Sequence, residues 1–208
     1  MTGKGTLDQD NWAWDEFLAF LRLSKTPPAN VLLSSYWTMG AVRHGDHIAK
    51  VRITPDPSYA AAVVRRTIDP ASAQEVFRPA LQAELQERPY AFDIQVQLCT
   101  DLEHMPVEDT TVEWPEQLSP SVTVARLRLP QQDSSGPENL EKMDSLSFTP
   151  WRVTAEHAPP GQHHAARKEV YRRSSIERHR LNQQPRTEPR SADAGVTIAG
   201  IAGVTMRA

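Results

Sequence analysis

The sequence predicts an α+β protein, because strand-like and helix-like patterns both occur along it. Residues 92–98 and 122–129 alternate in the manner of strands, whereas residues 11–24 repeat apolar side chains with the period of a helix. At 208 residues with 39% apolar content, the chain is long enough for one ordinary domain. We therefore expect helices and strands that share one core.

The first predicted element is an amphipathic helix, capped by Asp10 or Asn11 and running to about Ser24. Its apolar residues recur at the spacing of one helical face, namely Trp14, Phe17, Leu18 and Leu21. The two prolines at 27–28 predict a turn after it. A short strand is predicted over 49–54.

Two helical turns are predicted in the middle of the chain. Ser72 is a candidate cap for a helix that carries Val76 and Phe77. Pro79 is expected to start a new first turn, since proline is tolerated there. That helix should end before Pro89.

The two clearest strands follow. Residues 92–98 alternate strictly, with Phe92, Ile94, Val96 and Leu98 on one side and Asp93, Gln95 and Gln97 on the other. This pattern predicts a sheet with one solvated face. Residues 122–129 alternate again. Because the aliphatic stems of their arginines can pack against apolar surface, both faces of this strand can be covered by other parts of the protein. Polar loops are expected at 130–137 and 150–161, before a last helix from about 164 to 181.

The predicted organisation is a flexible start (1–10), one domain (11–182) and a disordered tail (183–208) that is too polar to bury surface. The single cysteine, Cys99, cannot form an internal disulfide, which favours a reduced compartment and a core role. No apolar run reaches the ~20 residues of a membrane helix, and no signal peptide is recognisable. We therefore expect a cytoplasmic protein with no membrane partner.

Charge is unevenly distributed. The formal net charge is −3, yet residues 163–190 hold eight Lys or Arg against three Glu. Clustered arginines can follow a phosphate backbone. Because the remainder of the chain is acidic, we disfavour a nucleic-acid partner.

The basic helix also groups three functional candidates. At about 100° per residue, Arg167, Tyr171 and Arg178 fall at roughly 0°, 40° and 20°, on one face. Phenols ionise near pH 10, so a phenolate needs support, which Arg167 can give by a charge-assisted hydrogen bond and ferric iron by coordination. Tyrosinate is an axial haem ligand in catalase, and Arg178 is placed to bind a carboxylate at the macrocycle edge. The competing interpretation is a solvated basic face.

Several motifs in order resemble the haem catalase superfamily. RKEVYRRSSIERHRLN, beginning at Arg167, is similar to the proximal helix of catalases, and LSFTPW, EHAPP and MPVEDTTVEW are similar to phrases of small catalase-like proteins. The resemblance covers about residues 12–182. It implies part of a catalase-type antiparallel β-barrel with flanking helices, haem b as cofactor, and hydrogen peroxide or an organic hydroperoxide as substrate. It also implies Tyr171 as iron ligand and Arg178 as propionate partner.

The resemblance begins downstream of the family's distal histidine, so no catalytic residue is identified. His44 and His47 are disfavoured as substitutes, and the later histidines are not expected to form a metal site. Whether the chain is an oxidoreductase therefore stays open. The alternative is a non-catalytic haem-binding or structural remnant. Because part of the barrel is missing, exposed strand edges predict association with another chain, including a homo-oligomer.

Overall fold

The computed structural model describes residues 30–63, 76–188 and 198–200, together with four residues nearer the start. These four, Trp14, Phe17, Leu18 and Leu21, are helical, in agreement with the predicted amphipathic helix. The remainder of that helix, and the predicted cap at Ser72, lie outside the described residues.

Strands and helices are interleaved along the described chain. The strands are β1 (Tyr36–Trp37), β2 (Val42–His44), β3 (His47–Pro55), β4 (Tyr90–Leu98), β5 (Val122–Leu129) and β6 (Ile198–Gly200). The helices are α1 (Pro57–Ala60), α2 (Phe77–Glu87), α3 (Pro137–Ser145) and α4 (Gly161–Leu181), with short 3₁₀ turns at Val31–Leu33 and Ala155–His157. The predicted α+β class is confirmed. None of the described helices has both the length and the apolar character that crossing a membrane requires.

All strand pairs of the described sheet are antiparallel. The order is β1-β3-β4-β5-β6, and β2 also pairs with β3. Strands β3 and β4 pair from Ala49 opposite Leu98 to Pro55 opposite Phe92. No described pairing joins β6 to β1 or β2, so these strands form an open sheet and not the closed barrel that the family resemblance suggests.

The main apolar core lies between the sheet and helix α2. Tyr90 and Phe92 are buried with Leu85 and Leu32, and the two aromatic rings meet edge to face at 5.0 Å. The Tyr90 hydroxyl donates to the Leu32 carbonyl at 2.6 Å, which satisfies the polar end of a buried phenol. Burial raises the pKa of Tyr90 to about 12. This core fixes the centre of the sheet.

The opposite face of the sheet was expected to be solvated, and this expectation is wrong for its central part. The segment 100–121 folds over it, so that Gln97 is half-buried and donates to the carbonyls of Trp114 and Ser119 at 3.1 and 3.0 Å. Lys50 donates to the Val112 carbonyl at 3.0 Å and lies 4.7 Å from the Trp114 ring centroid. Burial lowers the pKa of Lys50. The polar side chains of β3 and β4 are therefore used to hold a loop.

Two helix boundaries show what local sequence can predict. Helix α2 ends at Glu87, before Pro89, as predicted, but it begins at Phe77, so Pro79 lies within its first turn and does not start a new one. Helix α4 starts at Gly161, before the predicted start near His164. The reason is non-local, since the Glu108 carboxylate accepts hydrogen bonds from the backbone N–H groups of residues 162 and 163.

Candidate functional site

Helix α4 carries the candidate residues, and its first turns are anchored by His164. This side chain is 4% exposed, and its Nε2 lies 2.9 Å from the Ala41 carbonyl oxygen, to which it donates. The Trp151 indole donates to the His164 carbonyl at 3.3 Å. A Cβ atom on Gly40 would lie 2.5 Å from His164 Nε2, so only glycine admits the imidazole there.

A second buried histidine anchors the other end of α4. The ring nitrogens of His179 lie 2.6 Å from the Ser175 carbonyl and 2.8 Å from the Ser145 carbonyl. Arg178 donates to the carbonyl of Leu146. After the helix, Thr187 contacts the segment that follows α3, because the Ser147 N–H donates to the Thr187 carbonyl at 2.9 Å. Polar contacts thus hold the first turns of α4 to the loop before β2, and its last turn to the end of α3 and the residue that follows α3.

Arg167 and Tyr171 are in direct contact. Arg167 Nη2 donates to the Tyr171 hydroxyl at 3.0 Å, and its guanidinium carbon lies 5.3 Å from the phenol ring centroid. Arg167 Nη1 also faces His164 Nδ1 at 3.4 Å, which can accept because Nε2 is the donor to Ala41. A neutral His164 thus orients Arg167 toward the phenol oxygen. Burial is the main cause of a lowered pKa at His164, which favours this neutral form.

Tyr171 stands between two open cavities, which together we call the tyrosine groove. One cavity, of about 250 Å³, is lined by Phe148, Val170, Tyr171, Ser174, Ser175 and Arg178. The other, of about 190 Å³, is lined by Ser147, Phe148, Thr149, Trp151, Lys168, Tyr171, Arg172, Ser175 and Arg186. They share Phe148, Tyr171 and Ser175. The residues that line the groove include the aromatic side chains Phe148 and Trp151, four serine or threonine hydroxyls besides the Tyr171 phenol, and several cations.

The three residues selected from helix spacing therefore occupy one neighbourhood. Tyr171 and Arg178 line the same cavity, and Arg167 contacts Tyr171 from the preceding turn. Arg178 uses one nitrogen for the Leu146 carbonyl, and a guanidinium has five N–H donors, so others remain for a ligand. Their roles toward a ligand stay a prediction.

The remaining histidines that the sequence raised lie elsewhere. His44 and His47 pair across the β2–β3 hairpin, and the His44 ring lies 5.3 Å from that of His157. Burial, followed by the neighbouring His157 and His47, lowers the pKa of His44. Neither His44 nor His47 lines the tyrosine groove. Within the described ranges no three His, Cys, Asp or Glu side chains are grouped to hold a metal ion.

Sequence reasoning missed several residues of the groove. Phe148 and Trp151 fall within a motif of the family resemblance but gave no signal of their own. Ser147 lies in the same LSFTPW motif and also gave no signal of its own, because its importance comes from burial. It is 2% exposed, and its hydroxyl has no hydrogen-bond partner among the described atoms. His164 had a weak signal, since it lies three residues before Arg167 on one helical face.

Comparison with known proteins supports the fold and not a family. No protein-family model matches the sequence, and no curated protein matches it either. Among solved structures, the chain is similar to a fungal catalase, with a TM-score of 0.58 and 13% sequence identity over 74% of this chain. The similarity spans 32% of the catalase chain, so this chain corresponds to about a third of that protein. The described part thus has a catalase-like α+β fold.

Proposed function

We propose that this chain binds haem through Tyr171, with Arg167 beside the ligand oxygen and Arg178 at a carboxylate. The observation that carries the proposal is the 3.0 Å hydrogen bond from Arg167 to the Tyr171 hydroxyl, at the junction of the two cavities. A positive charge at this distance stabilises negative charge on the phenol oxygen. The phenol oxygen is therefore the candidate anionic ligand for a metal ion.

The donor set fits an iron porphyrin with carboxylate substituents. An oxygen ligand with anionic character suits ferric iron, and tyrosinate ligation of haem is known chemistry. Phe148 and Trp151 supply aromatic surface on which a planar macrocycle can rest. Arg178 supplies charge-assisted donors for a carboxylate. The likeness to a catalase fold agrees with this choice of ligand.

The remaining residues have positioning roles in this proposal. His164 accepts from Arg167 and keeps the guanidinium directed at Tyr171. The contact between Arg178 and the Leu146 carbonyl limits the motion of that side chain. Fixed dipoles and charges of this kind act without reorganisation when the ligand arrives.

For the substrate we propose hydrogen peroxide or an organic hydroperoxide. Ferric haem, when bound, supplies the redox centre for such chemistry. The residues lining the groove provide hydroxyls and cations, and none of them is a histidine or a carboxylate. A general base for peroxide would therefore have to come from a residue other than these. The alternative proposal is a haem-binding protein without catalase activity.

The test is an absorption titration of the purified chain with haemin. We expect a high-spin ferric spectrum with a phenolate-to-iron charge-transfer band, and we expect Tyr171→Phe to remove that band. Tyr59→Phe is the matched control, because Tyr59 packs against the sheet core and does not line the groove. An identical spectrum in Tyr171→Phe would contradict the ligand assignment. Oxygen release from added peroxide separates the catalytic proposal from the non-catalytic one.

A further inference from the structure

The hydroxyl group of Ser147 is buried without a hydrogen-bond partner. The residue is 2% exposed, and its Oγ contacts no donor or acceptor among the described atoms. Its backbone is fixed on both sides, because its N–H donates to Thr187 and its carbonyl accepts from Arg152, each at 2.9 Å. Leaving a buried hydroxyl unpaired costs about 1–3 kcal/mol. Since Ser147 lines the 190 Å³ cavity, a rotation about its Cα–Cβ bond would bring the hydroxyl to a ligand atom there.

The same cavity is lined by cations that differ in how far they are already paired. Arg172 is held by Glu169 through two hydrogen bonds of 2.7 and 2.8 Å. Arg186 has only longer contacts, at 3.3 Å from Nε to Ser175 Oγ and at 3.4 Å from Nη2 to Glu188. Arg186 therefore retains donors for an anion.

Lys168 adds a second charge on this side of the groove. Its Nζ lies 4.7 Å from the Trp151 ring centroid, and it forms no ion pair with any residue that the structure describes. An ammonium over an aromatic face is only partly compensated. Among the described residues, the cavity thus combines a hydroxyl that lacks a partner, an ammonium without an ion pair, and a guanidinium whose contact with Glu188 is long. This combination suits a carboxylate.

Ser175 connects this cavity with the position of Arg178. It lines both cavities, its hydroxyl meets Arg186, and Arg178 lies three residues further along the same helix, about 4.5 Å along its axis. Two arginines thus approach the groove on either side of one serine. We infer that Ser147 and Arg186 form a second carboxylate subsite, so that the ligand of the tyrosine groove carries two carboxylates.

This inference rests on the proposed function and specifies which residues bind each carboxylate of the ligand. Arg178 would bind one propionate of haem, and Ser147 with Arg186 would bind the other. A porphyrin whose carboxylates are blocked should then lose affinity at both positions. Ser147 should donate its hydroxyl hydrogen to the carboxylate, since an ionised carboxylate can only accept.

The experiment compares haemin with haemin dimethyl ester, measured as dissociation constants from Soret absorbance. The unmodified chain should bind haemin more than tenfold more tightly than the diester, since each charge-assisted contact is worth about a factor of ten. Arg186→Ala should weaken haemin binding about tenfold and barely change diester binding. Arg180→Ala is the control, because Arg180 lies six residues before Arg186, near the end of helix α4, pairs with Glu177 and lines neither cavity.

Ser147→Ala gives a signature that a purely structural role would not. Removing the unpaired hydroxyl should raise the thermal midpoint of the chain without ligand, since a desolvated polar group is lost. The same change should weaken haemin binding, because the carboxylate loses a donor. A fall in both quantities would indicate a folding role and overturn the subsite.

The outcomes separate this inference from the proposed function. If haemin and its diester bind equally while Tyr171→Phe still removes the charge-transfer band, the second subsite and the carboxylate contact of Arg178 are both refuted, and Tyr171 remains the assigned iron ligand. If haemin binds more tightly than the diester and Arg186→Ala removes that difference, but the charge-transfer band does not depend on Tyr171, the subsite stands and the ligand assignment fails. If neither porphyrin binds, both proposals fail.

Discussion

The sheet core and helix α4 are stabilised by different kinds of contact. Phe92 and Tyr90 lie within an apolar cluster that spans strands β3 to β5 and helix α2. Helix α4 has no apolar stripe of this kind, and two buried histidines and Glu108 hold it to loops and to the end of α3 instead. Apolar burial defines a cooperative core, whereas polar contacts of this kind permit local opening. The candidate site therefore lies on the element that is less firmly held.

The largest loss of stability should come from a substitution in the apolar core. Phe92→Ala removes a ring that is 6% exposed and leaves a cavity, so the free energy of unfolding should fall by about 3–5 kcal/mol. Urea-induced unfolding followed by circular dichroism measures it. Phe148→Ala is the matched control, because that ring is 58% exposed at the groove. Equal losses from the two changes would mean that the regions do not differ.

A smaller and local effect is expected from the anchor of α4. His164→Ala leaves the Ala41 carbonyl without its donor, at a cost of about 1–3 kcal/mol. Because the contact joins α4 to a loop, amide hydrogen exchange should accelerate in α4 while strands β3 and β4 stay protected. His104→Ala, at an exposed position, should change neither. Uniform acceleration throughout the sheet would show that α4 is part of the cooperative core.

Acid should weaken the contacts of His164 and His44 before it affects the carboxylates. The pKa values of His164 and His44 are lowered in the folded chain, mainly by burial, so the unfolded chain takes up protons first on acidification. Stability from these neutral rings is present above about pH 6.5 and is lost as the pH falls through their lowered folded values. Thermal midpoints measured between pH 8 and 4.5 should decline within this range.

Two variants make the pH test specific. In His164→Gln an amide can still donate to the Ala41 carbonyl without titrating, so the decline should become shallower. Asp56 affects stability in a separate pH range. The Ser58 hydrogen bond lowers the pKa of its carboxyl, so its contribution to the free energy of unfolding is lost only below about pH 4. A decline in His164→Gln as steep as in the unmodified chain would contradict the role of this histidine.

The smallest change in stability and in haemin binding should come from a substitution on the exposed surface of α4. Arg180 and Glu177 form an exposed ion pair at the helix surface, where solvent screens the charges. Arg180→Ala should leave both the thermal midpoint and haemin binding unchanged within experimental error. A clear loss of either would show that the basic face of α4 has a role that its exposure does not suggest.

Periodic segments were predictable from sequence, and tertiary contacts were not. Strand β5 has the predicted bounds, and β4 extends the predicted segment by two residues, because alternation is encoded residue by residue. The sequence pattern does not predict helix α3, because Pro137 suits both the end of a loop and the first turn of a helix. The earlier start of α4 depends on Glu108, more than fifty residues away.

In the candidate site, too, local sequence predicts one contact and does not predict another. The contact between Arg167 and Tyr171 follows from a spacing of four residues on a helix, and the structure contains it. The burial of Ser147 depends on how Thr187 and Arg152 pack around its backbone. No local pattern encodes such an arrangement.

The measurement that tests the central claim most directly is the ferric haemin spectrum of the chain and of Tyr171→Phe, recorded side by side at neutral pH. We predict a phenolate-to-iron charge-transfer band in the first and its loss in the second, with equal circular dichroism spectra. The same band in both proteins, or no haemin binding by the folded chain, would contradict the assignment of Tyr171 as an iron ligand.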